Sequence, residues 1–336
     1  MMVLGLLLVT LLLAWGLTAC VRHYALKRSV LDMPNARSSH KVPTPRGGGV
    51  AIVLAFLAGL PVLALLGGLD APLMWALLGA GAWVALLGFL DDHGHIAARW
   101  RLLGHFMGAA WVLFWLGGMP PIEVWGVSLR LGWVGYGLVA LGLVWLLNLY
   151  NFMDGIDGIA GIEAICVCLG GALLYWLAGH PSMMWLPLLL ALAVAGFLYW
   201  NFPPARIFMG DAGSGFLGMV LGILALQAAW TMPELFWAWL ILLGVFVVDA
   251  TVTLLHRLLR GERVYEAHRS HAYQFASRRV GRHLPVTLTV AGINMLWLLP
   301  LAILVTLGGL DGVLGLLFAY IPLLLLAWWF SAGAAE

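Results

Sequence analysis

Charge is what this chain has least of. Only 10% of its 336 residues are Asp, Glu, Lys or Arg, against about 25% in an ordinary soluble domain. A composition that is 63% hydrophobic cannot be hidden inside a water-soluble fold of this length, so a lipid environment is implied. The net charge of +2 is too small for a nucleic-acid-binding face, and no nucleic-acid partner is expected. Cysteine is nearly absent. Cys20, Cys166 and Cys168 all lie in apolar runs, and the last two, spaced by two, point to different faces of a helix. Neither a disulfide framework nor a thiolate metal site is expected. Positive charge is also missing ahead of the first apolar run, because the first basic residue is Arg22. A cleavable signal carries its charge before the apolar core. Although Leu17-Thr-Ala-Cys20 resembles a lipoprotein cleavage box, the expectation is a retained first helix with its N-terminus outside.

What is present is a series of apolar runs. A membrane-spanning helix needs ~20 mainly apolar residues. Segments of this kind occur at about 2–21, 48–68, 73–90, 102–118, 132–149, 159–178, 184–200, 213–230, 234–256, 286–307 and 311–331. They predict an all-α polytopic membrane protein of about eleven transmembrane helices, a single integral membrane unit over 1–336 with no appended soluble domain. With the N-terminus outside, the loops at 22–47, 91–101, 150–158, 201–212 and 257–285 fall on one side. They hold 16 of the 17 Lys and Arg residues, all but Arg130. The positive-inside rule makes that side cytoplasmic and places the C-terminus there too. The outer loop at 119–131 alternates Ile122, Val124, Val127, Leu129 and Leu131 around Gly126, which predicts a small β-hairpin. Gly104-xxx-Gly108 and Gly218-xxx-Gly222 are spacings that let helices approach closely in lipid.

The inner loops also carry the carboxylates. Asp91 and Asp92 follow the third span. Two adjacent acids repel unless a cation or a basic group is near, and Arg99 and Arg101 are close in sequence. The stretch from Asn148 reads N-x-x-N-x-x-D-G-x-D-G, with Asn148 and Asn151 on one helical face and Asp154 and Asp157 before the next span. One Asp there is explained by an N-cap. Two Asn and two Asp in a chain so poor in polar groups are not, and oxygen ligands of this type suit magnesium. Met209-Gly210-Asp211-Ala-Gly-Ser214-Gly opens the eighth span, where small residues and a helix N-terminus favour a phosphate bridged by a metal to Asp211. It is not a P-loop, for the lysine is missing. Phe208 could stack on a base. The last loop interleaves His268, Arg269, His271, Tyr273 and Gln274, which suits a phosphorylated, hydroxyl-rich ligand. Asp249, inside an apolar run, is a functional candidate by default, or a partner for Thr251, Thr253 or a neighbouring helix.

These motifs together resemble the polyprenyl-phosphate N-acetylhexosamine-1-phosphate transferases. The resemblance runs from Thr44-Pro-Arg46-Gly-Gly-Gly49 to about residue 285. It looks closest to the undecaprenyl-phosphate N-acetylglucosamine and N-acetylfucosamine-1-phosphate transferases that initiate O-antigen or related surface glycan synthesis. The phospho-N-acetylmuramoyl-pentapeptide transferase branch has a triple-histidine run where this chain reads His268-Arg-Ser-His271, so that branch is the alternative. The resemblance implies a bacterial inner-membrane enzyme with its active site facing the cytoplasm. Its substrates would be undecaprenyl phosphate and a UDP-N-acetylhexosamine, its metal Mg2+ with Mn2+ as a substitute, and a homodimer is a family habit. By that resemblance Asn151 and Asp211 are metal ligands, and Asp91, Asp92, Asp154, Asp157 and Asp211 serve the catalytic centre. Asn148, Asn151, Phe208, Gly210, His268, Arg269 and His271 face the nucleotide sugar. Arg46, Arg99 and Arg101 meet the lipid phosphate. A polytopic transporter is the rival from another class, but its polar groups would sit near the midplane rather than at the inner helix ends.

Overall fold

In lipid a backbone polar group has no water to bond, and a helix satisfies nearly all of them within one segment. The apolar runs are accordingly helical. The computed structural model describes residues 1–34, 40, 42–94, 96–262 and 268–334. The remaining positions, parts of the expected loops at 22–47, 91–101 and 257–285 and the last two residues, lie outside the described residues. The helices are α1 (Met2–Lys27), α2 (Gly49–Leu65), α3 (Ala71–Gly94), α4 (Ala98–Leu116), α5 (Gly132–Met153), α6 (Ile159–Leu177) and α7 (Trp185–Asn201). There follow α8 (Asp211–Thr231), α9 (Pro233–Leu242), α10 (Gly244–Leu259), α11 (Ala272–Val280), α12 (His283–Ile293), α13 (Leu299–Thr306) and α14 (Gly312–Trp329). A π-helical segment, Asn294–Leu298, joins α12 to α13.

Every expected span is helical, but the count of eleven is not reached by length and apolarity. Among the described residues eight helices pass that test, or nine if α9 and α10 form one span. The α2 helix has only 17 residues, and α4 opens with Arg99, Arg101 and His105 in its first two turns. The expected single span at 234–256 is broken. The axes of α9 and α10 meet at 68° across Leu243, and at Gly244, the first residue of α10, a Cβ would press on Tyr320 and Leu323, each at 3.1 Å.

Several helices also run further than hydropathy suggests. The α3 helix continues to Gly94, so Asp91 and Asp92 occupy its last turns rather than a loop. The α5 helix continues through Asn151 to Met153. A helix ends where its backbone pairing ends, and polar residues at the membrane boundary do not stop it.

The hairpin expected at 119–131 is present. Strand β3 (Ile122–Val124) pairs antiparallel with β4 (Val127–Leu129). Trp125 and Gly126 have φ of 50° and 75°, the two positive values a tight I′ turn requires. A second antiparallel pair, β1 (Leu31–Asp32) with β2 (Thr44–Pro45), had no signal in the sequence. We number these strands in chain order, β1 and β2 preceding α2.

The α8 helix is the most deeply buried of the long helices and packs on α3 and α5. Its glycines make this possible. A Cβ at Gly218 would lie 2.5 Å from the Leu146 carbonyl of α5, and one at Gly222 would lie 2.8 Å from the Leu143 side chain. On α3, a Cβ at Gly88 would fall 2.5 Å from the Asp211 backbone carbon. Gly104 and Gly108 of α4 face Leu87 and Val84 of α3 in the same way. Small residues thus draw the C-terminal ends of α3 and α5 and the N-terminal end of α8 together, and those ends carry the acidic motifs.

Candidate active site

A cleft of about 290 Å³ opens where the C-terminal ends of α3 and α5 meet the N-terminal end of α8. Its wall includes Arg46, Asn151, Asp154, Asp157, Phe208, Gly210 and Asp211. A smaller recess of about 20 Å³ adjoins it through Asn151 and Asp211, and is lined by Asp91, Arg101, His105 and Asn148. Sequence motifs far apart in the chain, Arg46 and Asp211 among them, therefore meet at one place.

The segment before α2 holds the cleft's edge. Gly48 N–H donates to the Phe208 carbonyl and Gly49 N–H to that of Met209, each at 2.9 Å, while Phe208 N–H donates to the Pro45 carbonyl at 2.8 Å. Arg46 is carried into the site by this ladder. There its guanidinium pairs with Asp92. Asp92 in turn caps α8, its Oδ1 accepting from Asp211 N–H at 3.2 Å and its Oδ2 from Ala212 N–H at 3.4 Å. A carboxylate there satisfies donors that a helix N-terminus leaves unpaired and is favoured by the helix dipole. Gly210, at φ 78°, leaves room for it, since a Cβ at Gly210 would lie 2.8 Å from Asp92 Oδ2.

Asp91 faces the other way. It pairs with Arg101 and accepts from Ile96 N–H at 2.6 Å. Arg101 also lies 3.6 Å from Asp211 Oδ2. The two adjacent acids are thus separated into two ion pairs, one with Arg46 and one with Arg101. Arg99 is not brought to the site. It is exposed on α4, with its guanidinium 5.5 Å from the Trp100 ring.

The Asn and Asp run divides into different jobs. Asn151 donates from Nδ2 to Ser214 Oγ at 2.9 Å, which ties α5 to α8. Asn148 is turned into the smaller recess, where Nδ2 donates to the Val144 carbonyl at 2.7 Å and lies 3.3 Å from His105 Nδ1. Asp157 is used structurally. Its Oδ2 accepts from Ala205 N–H at 3.0 Å, its Oδ1 lies 3.1 Å from His283 Nδ1, and its carbonyl accepts from Thr287 Oγ1 at 2.9 Å. Asp154 has no such cationic partner among the described residues. Burial first, then the like charges of Asp211, Asp157 and Asp92, push its carboxyl well above the usual carboxylate range.

Of the last loop, Gln274 lines the cleft while His268, Arg269 and His271 do not. His271 is buried behind Phe152, their rings stacked with centroids 6.4 Å apart. His268 stacks beside it at 4.9 Å. The cleft also contains residues that no sequence motif singled out: Asp32, His40 and Asn201. His40 meets the Phe208 ring edge-on at 4.8 Å. Asn201 bridges two loops, accepting from Gly158 N–H and donating to the Ile207 carbonyl, each at 3.0 Å. Asp32 and His40 belong to the region around the β1–β2 pair, and their approach depends on a pairing with no periodic signal.

This clustering of acids and amides at one end of a helical bundle has known counterparts. A family model described as glycosyl transferase family 4 matches residues 74–229. A probable undecaprenyl-phosphate N-acetylglucosaminyl 1-phosphate transferase of Bacillus subtilis (strain 168) is 32% identical over 272 residues, covering 79% of this chain and 75% of the relative. The chain belongs to the polyprenyl-phosphate N-acetylhexosamine-1-phosphate transferase superfamily. Two further superfamily members show its breadth. The phospho-N-acetylmuramoyl-pentapeptide-transferase of Moorella thermoacetica is 32% identical over 276 residues, 76% of this chain and 83% of that protein. The undecaprenyl-phosphate alpha-N-acetylglucosaminyl 1-phosphate transferase of Thermotoga maritima is 27% identical over 301 residues, 87% and 88% of the two chains. The superfamily match at 74–229 spans both Asp motifs and the Asn151 turn but stops short of the last loop.

A divalent cation bridging two phosphates needs oxygen donors at the cleft. Among the described residues no three His, Cys, Asp or Glu side chains converge as a metal cage. The cleft instead offers Asp211 and Asp154 with the Asn151 amide, and a cation there would offset the burial and the like charges that raise Asp154. Oxygen donors few in number fit magnesium, which keeps several waters and takes the rest of its shell from substrate phosphates.

Proposed function

We propose that this multi-pass membrane protein transfers a sugar 1-phosphate from a UDP-N-acetylhexosamine to undecaprenyl phosphate at the cytoplasmic face of the bacterial inner membrane. UMP is released and the lipid diphosphate sugar formed, as the first step of O-antigen or related surface glycan assembly. The observation that carries this reading is the cleft itself. Two arginines paired with two carboxylates, the further carboxylates Asp154 and Asp211, and an aromatic ring converge where α3, α5 and α8 meet, at the ends of lipid-spanning helices. A lipid acceptor requires a site at the bilayer, a nucleotide donor requires an aqueous opening, and two polyanions meeting require cations between them.

In the reaction an oxygen of the lipid phosphate forms a bond to the sugar-proximal phosphorus, and the bond from that phosphorus to the UMP oxygen breaks. A phosphate monoester has its second pKa near ~6 and is largely ionised at neutral pH, so a general base is optional and alignment is the protein's main task. Arg46, paired with Asp92, would meet the lipid phosphate, as would Arg101, paired with Asp91. Asn151 and Asp211 are the residues that would hold Mg2+, with Asp154 beside them. The ion would screen the phosphate charges and polarise the diphosphate. Phe208 offers a ring for the uracil.

Purified protein in detergent should release UMP only when undecaprenyl phosphate, Mg2+ and a UDP-N-acetylhexosamine are all present. A second reading, transfer of phospho-N-acetylmuramoyl-pentapeptide, is favoured by the similarity to the Moorella protein. Including that donor in the panel decides between the two.

A further inference from the structure

Asp249 is an acid inside α10, buried at 7% exposure. A charge in that position is stable only if its bonds are complete. They are, and they all reach the last inner loop or its own helix. Asp249 Oδ1 accepts from Ala272 N–H at 2.9 Å and from Thr253 Oγ1 at 3.2 Å, and lies 3.3 Å from His271 Nδ1. Oδ2 accepts from Tyr273 N–H at 2.9 Å. One side chain therefore takes up the first backbone donors of α11 and the ring of the residue that precedes it.

The α11 helix passes that anchorage on to the cleft. The Tyr273 hydroxyl donates to the Phe152 carbonyl at 3.0 Å, in the turn that carries Asn151 and Asp154. Gln274 uses Oε1 to accept from His271 N–H at 3.2 Å and lines the cleft itself. His271 Nε2 is buried with no partner, as an imidazole is left when its Nδ1 side is committed to a carboxylate. Among the described residues, 260–262 and 268–271 belong to no helix or strand, and the Asp249 bonds tie the end of this stretch to α10.

We propose that Asp249 is a positioning residue for the nucleotide-sugar side of the cleft. It locks the start of α11 so that Gln274 and the Phe152 turn present a fixed wall to the donor, with His271 as the group through which it acts. This rests on the transferase reading above. A purely structural role would lower the yield or melting temperature of the protein while leaving the affinity of the folded fraction unchanged. A positioning role moves the donor constant alone.

The experiment compares wild type, Asp249→Asn, His271→Gln and the double variant in detergent, with UMP release measured against donor and against lipid phosphate. Asp249→Asn keeps the shape and one acceptor oxygen, and it serves where Asp249→Ala does not fold. By analogy with carboxylates that orient a functional histidine, the KM for the UDP-sugar should rise about 10-fold or more. The KM for lipid phosphate should stay within about 2-fold, and the double variant should be little worse than His271→Gln alone. An unchanged donor KM, an equal loss on both substrates, or additive effects in the double variant would overturn the proposal. If the wild type releases no UMP, the transferase reading fails on its own. Calorimetric titration of UDP-N-acetylglucosamine then still compares wild type with Asp249→Asn, and equal affinity, or no binding by either, overturns the positioning role too.

Discussion

The Asp92 carboxylate closes the N-terminus of the helix that Asp211 begins, accepting the Asp211 N–H at 3.2 Å while pairing with Arg46 from across the cleft. One acid thus fixes the start of α8 and the direction of an arginine. Asp92→Asn retains an oxygen for the helix cap but loses the charge that holds Arg46. The variant should insert and elute as the wild type does, yet turn over at least about 100-fold more slowly, the scale on which a preorganised electrostatic group acts. Wild-type UMP release by the purified variant would remove Asp92 from the site.

Asp211 stands on the other side of that cap, with its side chain in the cleft and Arg101 3.6 Å away. If it holds the cation, Asp211→Asn should abolish transfer at ordinary Mg2+ and recover a part of it only at much higher concentrations. A Mg2+ titration of UMP release reads this directly. An unshifted Mg2+ dependence would assign the metal to Asp154 and Asn151 instead.

Gly88 marks how closely α3 and α8 approach, since a Cβ there would lie 2.5 Å from the Asp211 backbone. Backbone cannot move aside as a side chain can. Gly88→Ala should therefore cost about 1–3 kcal/mol of stability, the usual range for overpacking, and should also depress turnover by displacing Asp211. Detergent melting curves and UMP release report the two effects separately.

The sequence made the helices and the acidic motifs legible because apolar length and clustered oxygen ligands are local properties. The hairpin at Ile122–Leu129 was readable for the same reason, from alternation around Gly126. What was not readable is how the motifs are shared out. Asp154 and Asp157 lie three residues apart, yet Asp157 is bonded to Ala205 and His283 while Asp154 is left to the cleft. Arg99 and Arg101 look equivalent in a sequence, but on a helix a step of two turns one toward Asp91 and the other toward solvent. His40 and Asp32 enter through a two-residue strand pairing, too short to leave a periodic trace. The break between α9 and α10 falls at Leu243 within an unbroken apolar run, which hydropathy reads as continuous.

His268 gives the last loop a definite response to acid. Its Nδ1 lies 3.0 Å from Ser270 Oγ and accepts from Ser270 N–H at 3.4 Å, a neutral imidazole's role. Burial first, then the neighbouring His271 and Arg257, push its pKa down to about 3. An unfolded chain binds this proton near ~6.5. The folded pKa is the lower one, so the contribution to stability is present above the unfolded value and is lost as pH falls toward about 3. His268→Gln should remove that part of the acid sensitivity. Melting temperature followed between pH 7 and 4 should fall less steeply in the variant, and parallel curves would show that His268 titrates normally.

The Tyr273 hydroxyl, which bonds the Phe152 carbonyl at 3.0 Å, also occupies the space beside Gly155. A Cβ on Gly155 would run into that oxygen and lie 3.2 Å from the ring carbon that bears it. The glycine in the Asp154-Gly155 pair is thus required by a contact from α11, not by the turn's own backbone, whose φ there is ordinary. Gly155→Ala should strongly reduce turnover by forcing the Asp154 turn and α11 apart. Tyr273→Phe alone loses the bond to the Phe152 carbonyl and the hydroxyl's hydrogen bonds with Gly155 and Gln274, about 1 kcal/mol each, and should cost stability while keeping measurable turnover. Combined, Gly155→Ala with Tyr273→Phe should recover a part of the activity, because the ring carbon still sits closely but the hydroxyl no longer intrudes. A double variant no better than Gly155→Ala would mean that the glycine is needed for the substrate's approach rather than for the tyrosine.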